Sequence, residues 1–186
     1  MIWAAAVLVG YLVGAVSPAT LVASRRGVDL RGVGSGNPGA TNVGRALGPR
    51  TGVVVAVLDV LKGLVPAVAF GAVDHRAGLL AGVAAVIGHV TSPFLRGRGG
   101  KGVATAGGAI LGSHPLWAIP VLGTWLVVVA LSRWSALASV CAAVSVLVVG
   151  IVVGEDVLWA AALCVIVLVR HQPNVMRRLE ARREGA

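Results

Sequence analysis

Acidic side chains are nearly absent from this chain: 7 Asp and Glu stand against 16 Lys and Arg, and charged residues of both signs make up only 12%. With carboxylates this few and scattered, and 4 histidines that do not pair at ligand spacing, no metal cluster is visible, and no metal or cofactor is expected. The 2 cysteines, Cys141 and Cys164, each sit inside an apolar run, so they read as small packing residues and not as a disulfide framework or a zinc ligand set. A Ser-His-Asp constellation is missing too, which removes the usual route to a covalent intermediate. Met1 to Val16 lacks the basic start of a secretion signal and is read as a first helix.

What fills the chain instead is apolar: 57% of residues are hydrophobic and the mean hydropathy is +0.90. Such a composition gives an integral membrane protein, and 186 residues make a single domain, 1–186. A helix needs about 20 apolar residues to cross the hydrocarbon core, fewer when its ends are shielded. Spans are predicted at roughly 2–23, 52–73, 77–95, 102–113, 116–131, 135–153 and 157–170, an all-α polytopic fold of about seven transmembrane helices. Cytoplasmic loops collect Lys and Arg. With the N-terminus outside and the C-terminus inside, every basic residue except Lys62 and Arg76 falls on the cytoplasmic side. The net charge of +9 is then an orientation signal, carried by arginines such as Arg25, Arg26, Arg50, Arg182 and Arg183. Nucleic-acid binding is not expected, because no soluble basic face exists to carry it.

Within this oily chain lies a polar island, GSGNPGATNVGR, from Gly34 to Arg45. Topology requires charge in such a loop, but it does not require glycine, serine and asparagine in that order. Backbone N–H groups freed by glycine, side-chain hydroxyls and amides, and a guanidinium fork all suit phosphate oxygens. Gly34, Gly36 and Gly39 satisfy G-x-G-x-x-G, with Asp59 20 residues beyond, but a dinucleotide fingerprint needs a strand before its glycines. The run around Lys101 resembles a Walker A loop, yet Leu95 stands at its first glycine and Gly102 where Ser or Thr belongs.

Two further segments share the cytoplasmic side. Gly88 to Thr105, GHVTSPFLRGRGGKGVAT, ends a helix near Pro93 and starts another after Gly102, so a positive helix end follows Lys101. His89 reads as a ligand-facing or a helix-capping group. Arg170 to Glu184 opens with His171 and Asn174, three apart on one helical face, followed by Arg177. Inside the second span Asp59 and Lys62 are also three apart and predict an ion pair, since an unpaired charge there costs on the order of 2.5–3.5 kcal/mol. Gly78 with Gly82 and Ala81 with Ala85 predict close helix packing.

Gly34 to Val43, Asp59 with Lys62 and Gly63, and Gly99 to Thr105 together resemble the bacterial acyl-phosphate glycerol-3-phosphate acyltransferase family. The resemblance implies a seven-helix enzyme of the plasma (inner) membrane, its site facing the cytoplasm. It implies transfer of a fatty acyl group from acyl phosphate to sn-glycerol 3-phosphate, giving lysophosphatidic acid and phosphate, the first acylation of phospholipid synthesis. It also implies coupling to an enzyme that supplies acyl phosphate, in place of direct use of acyl-CoA or acyl carrier protein. The chain departs from the family's pattern at Thr91, Ser92, Pro93 and Gly97, and near its end, where Arg178 precedes Leu179 and Glu184 falls one position late.

On this reading Ser35, Arg45, Lys101, His171 and Asn174 are the expected catalytic residues. Gly34, Gly36, Asn37, Gly39, Thr41 and Asn42 are expected to bind substrate, as are His89, Gly99, Gly100, Gly102, Ser139 and Arg177, with Asp59 and Lys62 as a supporting pair. Ser35, Asn37, Thr41 and Asn42 would hold the acyl phosphate, and Arg45, Lys101, His171 and Asn174 the glycerol phosphate. The alternative is a small anion or phosphate transporter built on the same basic, glycine-rich loops. That class predicts inverted repeats with helices broken at the midplane, and the two halves show no such repeat.

Overall fold

The computed structural model describes residues 1–184, among which there is no strand. The side chains of Leu179, Arg182 and Glu184 lie outside the described residues. Nine α-helices are formed among the described residues: α1 (Ile2–Ala15), α2 (Pro18–Ser24), α3 (Ala40–Leu47), α4 (Pro49–Gly71), α5 (His75–Thr91), α6 (Val103–Ser113), α7 (Pro115–Ser132), α8 (Ser135–Val153) and α9 (Val157–Glu184). Six segments among them are long and apolar enough to cross a membrane: Ile2–Ser24, α4, His75–Leu95, α7, α8 and Val157–Arg178. α6, at 11 residues, is apolar but shorter.

The chain divides into two compact units, Met1–His114 and Pro115–Ala186. In the first unit, helices meet through small residues. A methyl group added at Gly10 or Gly14 of α1 would enter the carbonyl oxygen of Ala81 or Ala85 of α5, and one at Gly63 of α4 would enter that of Thr105 on α6. Lipid is as apolar as leucine, so helices in a membrane associate through such close packing instead of through hydrophobic collapse. α4 has the matching inversion: Val53, Val54, Val57, Leu61 and Val65 are exposed, while Asp59, Lys62 and Gly63 are buried.

Two local breaks depart from the expected spans. The first span is not continuous, because Pro18 has no N–H to continue the ladder of α1. Val16 turns extended (φ −64°, ψ 130°), and Ser17 caps α2 by accepting the Thr20 N–H at 3.3 Å. The polar island also contains a helix, α3, which begins after Gly39 and stops at Gly48 (φ +92°). Its apolar side, with Val43 fully buried, packs with Ala19, Ala23, Leu30 and Val55.

Asp74 begins α5. Its carboxylate accepts the Ala77 N–H at 2.8 Å and the Trp3 indole N–H at 3.1 Å, joining the start of α5 to that of α1.

In the second unit α9 runs through Pro173 to Glu184 and does not end near Arg170. One proline removes a single ladder bond without stopping the helical φ values beyond it. Arg177 Nε donates to the Pro173 carbonyl at 3.2 Å, and the cations near the C-terminal end suit the helix dipole. The Arg178 guanidinium sits 4.6 Å from the centre of the Trp134 ring.

Candidate active site

The glycine-rich loop owes its shape to one asparagine. Asn42, at 2% exposure, accepts the Ser35 N–H at 3.1 Å through Oδ1 and donates through Nδ2 to the carbonyls of Leu30 (3.1 Å) and Val33 (2.9 Å). Gly34 passes this carboxamide at φ +56°, where a Cβ would strike Asn42 Oδ1, so glycine is required on both conformational and steric grounds. Ser35 and Asn37 are half-buried, Thr41 is exposed in the first turn of α3, and Arg45 is exposed in its last turn.

Gly36 N–H donates to Val33 O (3.0 Å), Gly39 to Asn37 O (2.9 Å), Gly99 to Val90 O (3.2 Å) and Gly100 to His89 O (3.1 Å). The Gly36 and Gly39 amides close local turns, while those of Gly99 and Gly100 tie their segment to the end of α5.

The second segment is seated on the end of α5. After Thr91 the chain makes a 3-10 turn, Pro93–Leu95, and reaches Gly99–Gly100, which are buried against His89: a Cβ at Gly99 would strike the His89 carbonyl and one at Gly100 its Nε2. Gly102, at φ +82°, caps α6 and leaves Lys101 half-buried beside the positive end of that helix. Arg31 Nη2 donates to Leu95 O at 3.4 Å, which joins this segment to the turn leading into the first loop. A cavity of about 250 Å³ lies there, lined in part by Thr20, Val28, Arg31, Pro38 and Leu95.

Beneath both segments the expected ion pair is present. Lys62 Nζ lies 3.0 Å from Asp59 Oδ1 and donates to the Val16 carbonyl at 2.8 Å. His89 Nδ1 lies 3.5 Å from Asp59 Oδ1, an electrostatic contact slightly beyond good hydrogen-bond length. Ser92 Oγ donates to the Ala15 carbonyl at 2.6 Å. Lys62 and Ser92 thus satisfy carbonyls at the α1 break. Ser92 was not among the expected site residues; its only signal in the sequence is its departure from the family's usual pattern.

In the second unit, His171 is 2% exposed and its Nδ1 lies 2.8 Å from the Val167 carbonyl. A carbonyl oxygen only accepts, so Nδ1 carries a proton toward it, and Nε2 is the other ring nitrogen. Asn174 is half-buried one turn on, and Arg177 is exposed. Ser139, buried on α8, donates to Ser135 O (2.8 Å) and accepts the Trp125 indole N–H (3.2 Å).

A family model described as glycerol-3-phosphate acyltransferase matches residues 4–181. The chain belongs to the glycerol-3-phosphate acyltransferase family. It is therefore an acyltransferase and a multi-pass membrane protein, and the transporter alternative falls away. Among its relatives, the glycerol-3-phosphate acyltransferase of Aquifex aeolicus is 39% identical over 183 residues, 95% of each chain. That of Geobacter sulfurreducens is 42% identical over 178 residues, 92% of this chain and 91% of its own. The fold is similar to a crystal structure of PlsY, an integral membrane glycerol 3-phosphate acyltransferase, in its glycerol 3-phosphate form (TM-score 0.92, 37% identity, 97% of this chain and 93% of that one). It is also similar to the lysophosphatidic acid form of PlsY (TM-score 0.89, 35% identity, the same coverage).

Proposed function

We propose that this acyltransferase moves a fatty acyl group from an acyl phosphate to the 1-hydroxyl of sn-glycerol 3-phosphate, releasing phosphate and 1-acyl-glycerol 3-phosphate. The acceptor follows from family membership and from likeness to an acyltransferase whose structures have glycerol 3-phosphate and lysophosphatidic acid forms. The observation that carries the donor is chemical: two glycine-shaped segments present Arg45 and Lys101, and among the described residues no Ser-His-Asp set accompanies them. Phosphate already leaves readily from an acyl phosphate, so a protein nucleophile is unnecessary.

The hydroxyl oxygen attacks the acyl carbon, and the bond from that carbon to the phosphate oxygen breaks with its electron pair on phosphate. The hydroxyl proton passes to His171 Nε2 or to an oxygen of the departing phosphate. Ser35, Asn37 and Thr41 hold the acyl phosphate, while Gly34, Gly36, Gly39 and Asn42 fix their loop. Arg45, Lys101, His171 and Asn174, helped by Arg177, hold glycerol phosphate and the charge that grows on the leaving group. Gly99, Gly100 and Gly102 place Lys101, and Ser139 binds substrate. The two phosphates repel each other, which is why the proposed site needs several cations.

The same reading makes 1–186 one catalytic domain of the inner membrane, N-terminus outside, with its site on the cytoplasmic side. Its support is the placement of the basic loops. The donor must come from an enzyme that forms acyl phosphates, to which this chain is functionally coupled. The test is to mix the purified chain in detergent with glycerol 3-phosphate and either palmitoyl phosphate or palmitoyl-CoA. Lysophosphatidic acid from the first donor alone is expected. Product from palmitoyl-CoA alone, or from neither, would overturn the proposal.

A further inference from the structure

We propose that His89 is a positioning residue for Lys101, and that the buried Lys62–Asp59–His89 chain ties Lys101 to the break in the first span. This deepens the function proposed above and rests on it, because it takes Lys101 as a substrate-binding cation.

His89 is 8% exposed, below the segment that carries Lys101 and not among its exposed groups. It meets the residue before Lys101 twice: its carbonyl accepts the Gly100 N–H at 3.1 Å, and its Nε2 lies so close that a Gly100 Cβ would clash with it. On the other side of Lys101, Gly102 is seated on the same helix end, where a Cβ would lie 3.0 Å from Val86 Cγ1 and 3.2 Å from Val90 Cγ1. The backbone on both sides of Lys101 therefore follows the end of α5. The His89 ring faces Asp59 of α4, whose Oδ1 lies 3.5 Å from its Nδ1, and Asp59 pairs with Lys62 at 3.0 Å. Lys62 then reaches the Val16 carbonyl at the α1 break, where Ser92 takes Ala15 O. α2 leaves that break toward the loop held by Asn42. Buried charges left without such partners would be costly in this setting, so the chain behaves as a unit.

A residue that acts through Lys101 loses its effect when Lys101 is gone, whereas a merely structural residue does not. The experiment is a double-mutant cycle on the full-length purified chain, with palmitoyl phosphate and glycerol 3-phosphate as substrates. His89→Gln is expected to lower kcat/KM for glycerol 3-phosphate on the order of tenfold, as small misplacements of a binding group do. In the Lys101→Met background the same change is expected to alter the residual kcat/KM by less than about twofold. Gly100→Ala, whose methyl strikes His89 Nε2 and leaves the Asp59–Lys62 pair in place, gives the same cycle if His89→Gln does not fold. Gly107→Ala, whose Cβ meets nothing within 4 Å, is the neutral control. Additive effects of His89→Gln or Gly100→Ala with Lys101→Met overturn the inference. An inactive parent chain overturns instead the function on which it rests.

Discussion

Asn42 closes three hydrogen bonds to backbone groups, one accepted and two donated, and the two donated bonds hold the turn at Leu30 and Val33. Asn42→Asp would set a carboxylate oxygen against those two carbonyls. Each acceptor left buried without a donor costs about 1–3 kcal/mol, so both activity and melting temperature are expected to fall. Unchanged melting of the Asn42→Asp chain would show that the loop is held by other means. At Lys101 and Arg45 the expectation is different, because neither side chain is deeply buried. Lys101→Ala and Arg45→Ala are each expected to reduce kcat about 10²–10³-fold, the usual loss when one donor to developing charge is removed, with melting unchanged. Full phosphate release by either variant would remove that residue from the mechanism. The polar island was legible in residue types alone. The inward turn of Asn42 was not, because it depends on the start of α3 at Ala40, which composition does not register.

Helix ends were legible where glycine and proline punctuate an apolar run, as at Gly102 before α6 and Pro115 at the start of α7. α3 and the α1 break were not, since an eight-residue helix in polar sequence has no apolar run, and Pro18 lies inside one. The small-residue pattern on α5 was read correctly: Ala81 and Ala85 receive Gly10 and Gly14, and a Cβ at Gly82 would lie 3.0 Å from Ala109 Cβ. The α4–α6 contact is as tight, and Gly63→Val is expected to cost about 1–3 kcal/mol as overpacking. In a chain of this length that lowers the melting temperature by roughly 2–4 °C per kcal/mol, measured in detergent. The start of α5 carries a pH dependence. The Ala77 N–H, foremost, and then the Trp3 indole hold the Asp74 carboxyl below the ordinary carboxylate range. A depressed carboxyl contributes stability above its unfolded value of about 3.9 and loses it as pH falls through the lower folded value. Amide exchange at Ala77 is therefore expected to quicken, relative to its intrinsic rate, as pH drops below about 4. An Asp74→Ala chain is expected to show fast exchange at every pH. A parent chain whose exchange protection ignores acid would contradict the cap.

For the molecule as a whole, the inverted pattern of α4, with charges inside and valines outside, suits a helix whose outer face meets lipid. Membrane class and helix identity were visible in hydropathy. The ties that join separate segments, such as Lys62 to Val16, Ser92 to Ala15 and Arg31 to Leu95, were not, because each depends on approach in space between residues 46, 77 and 64 apart in sequence. The central claim is that acyl phosphate and glycerol 3-phosphate occupy the enzyme together and react directly. Its most direct test is an initial-rate matrix in which palmitoyl phosphate and glycerol 3-phosphate are varied against each other. Double-reciprocal lines that intersect are predicted, since both substrates must be bound before any phosphate leaves. Parallel lines, the signature of an acyl-enzyme formed before glycerol 3-phosphate binds, would contradict the account.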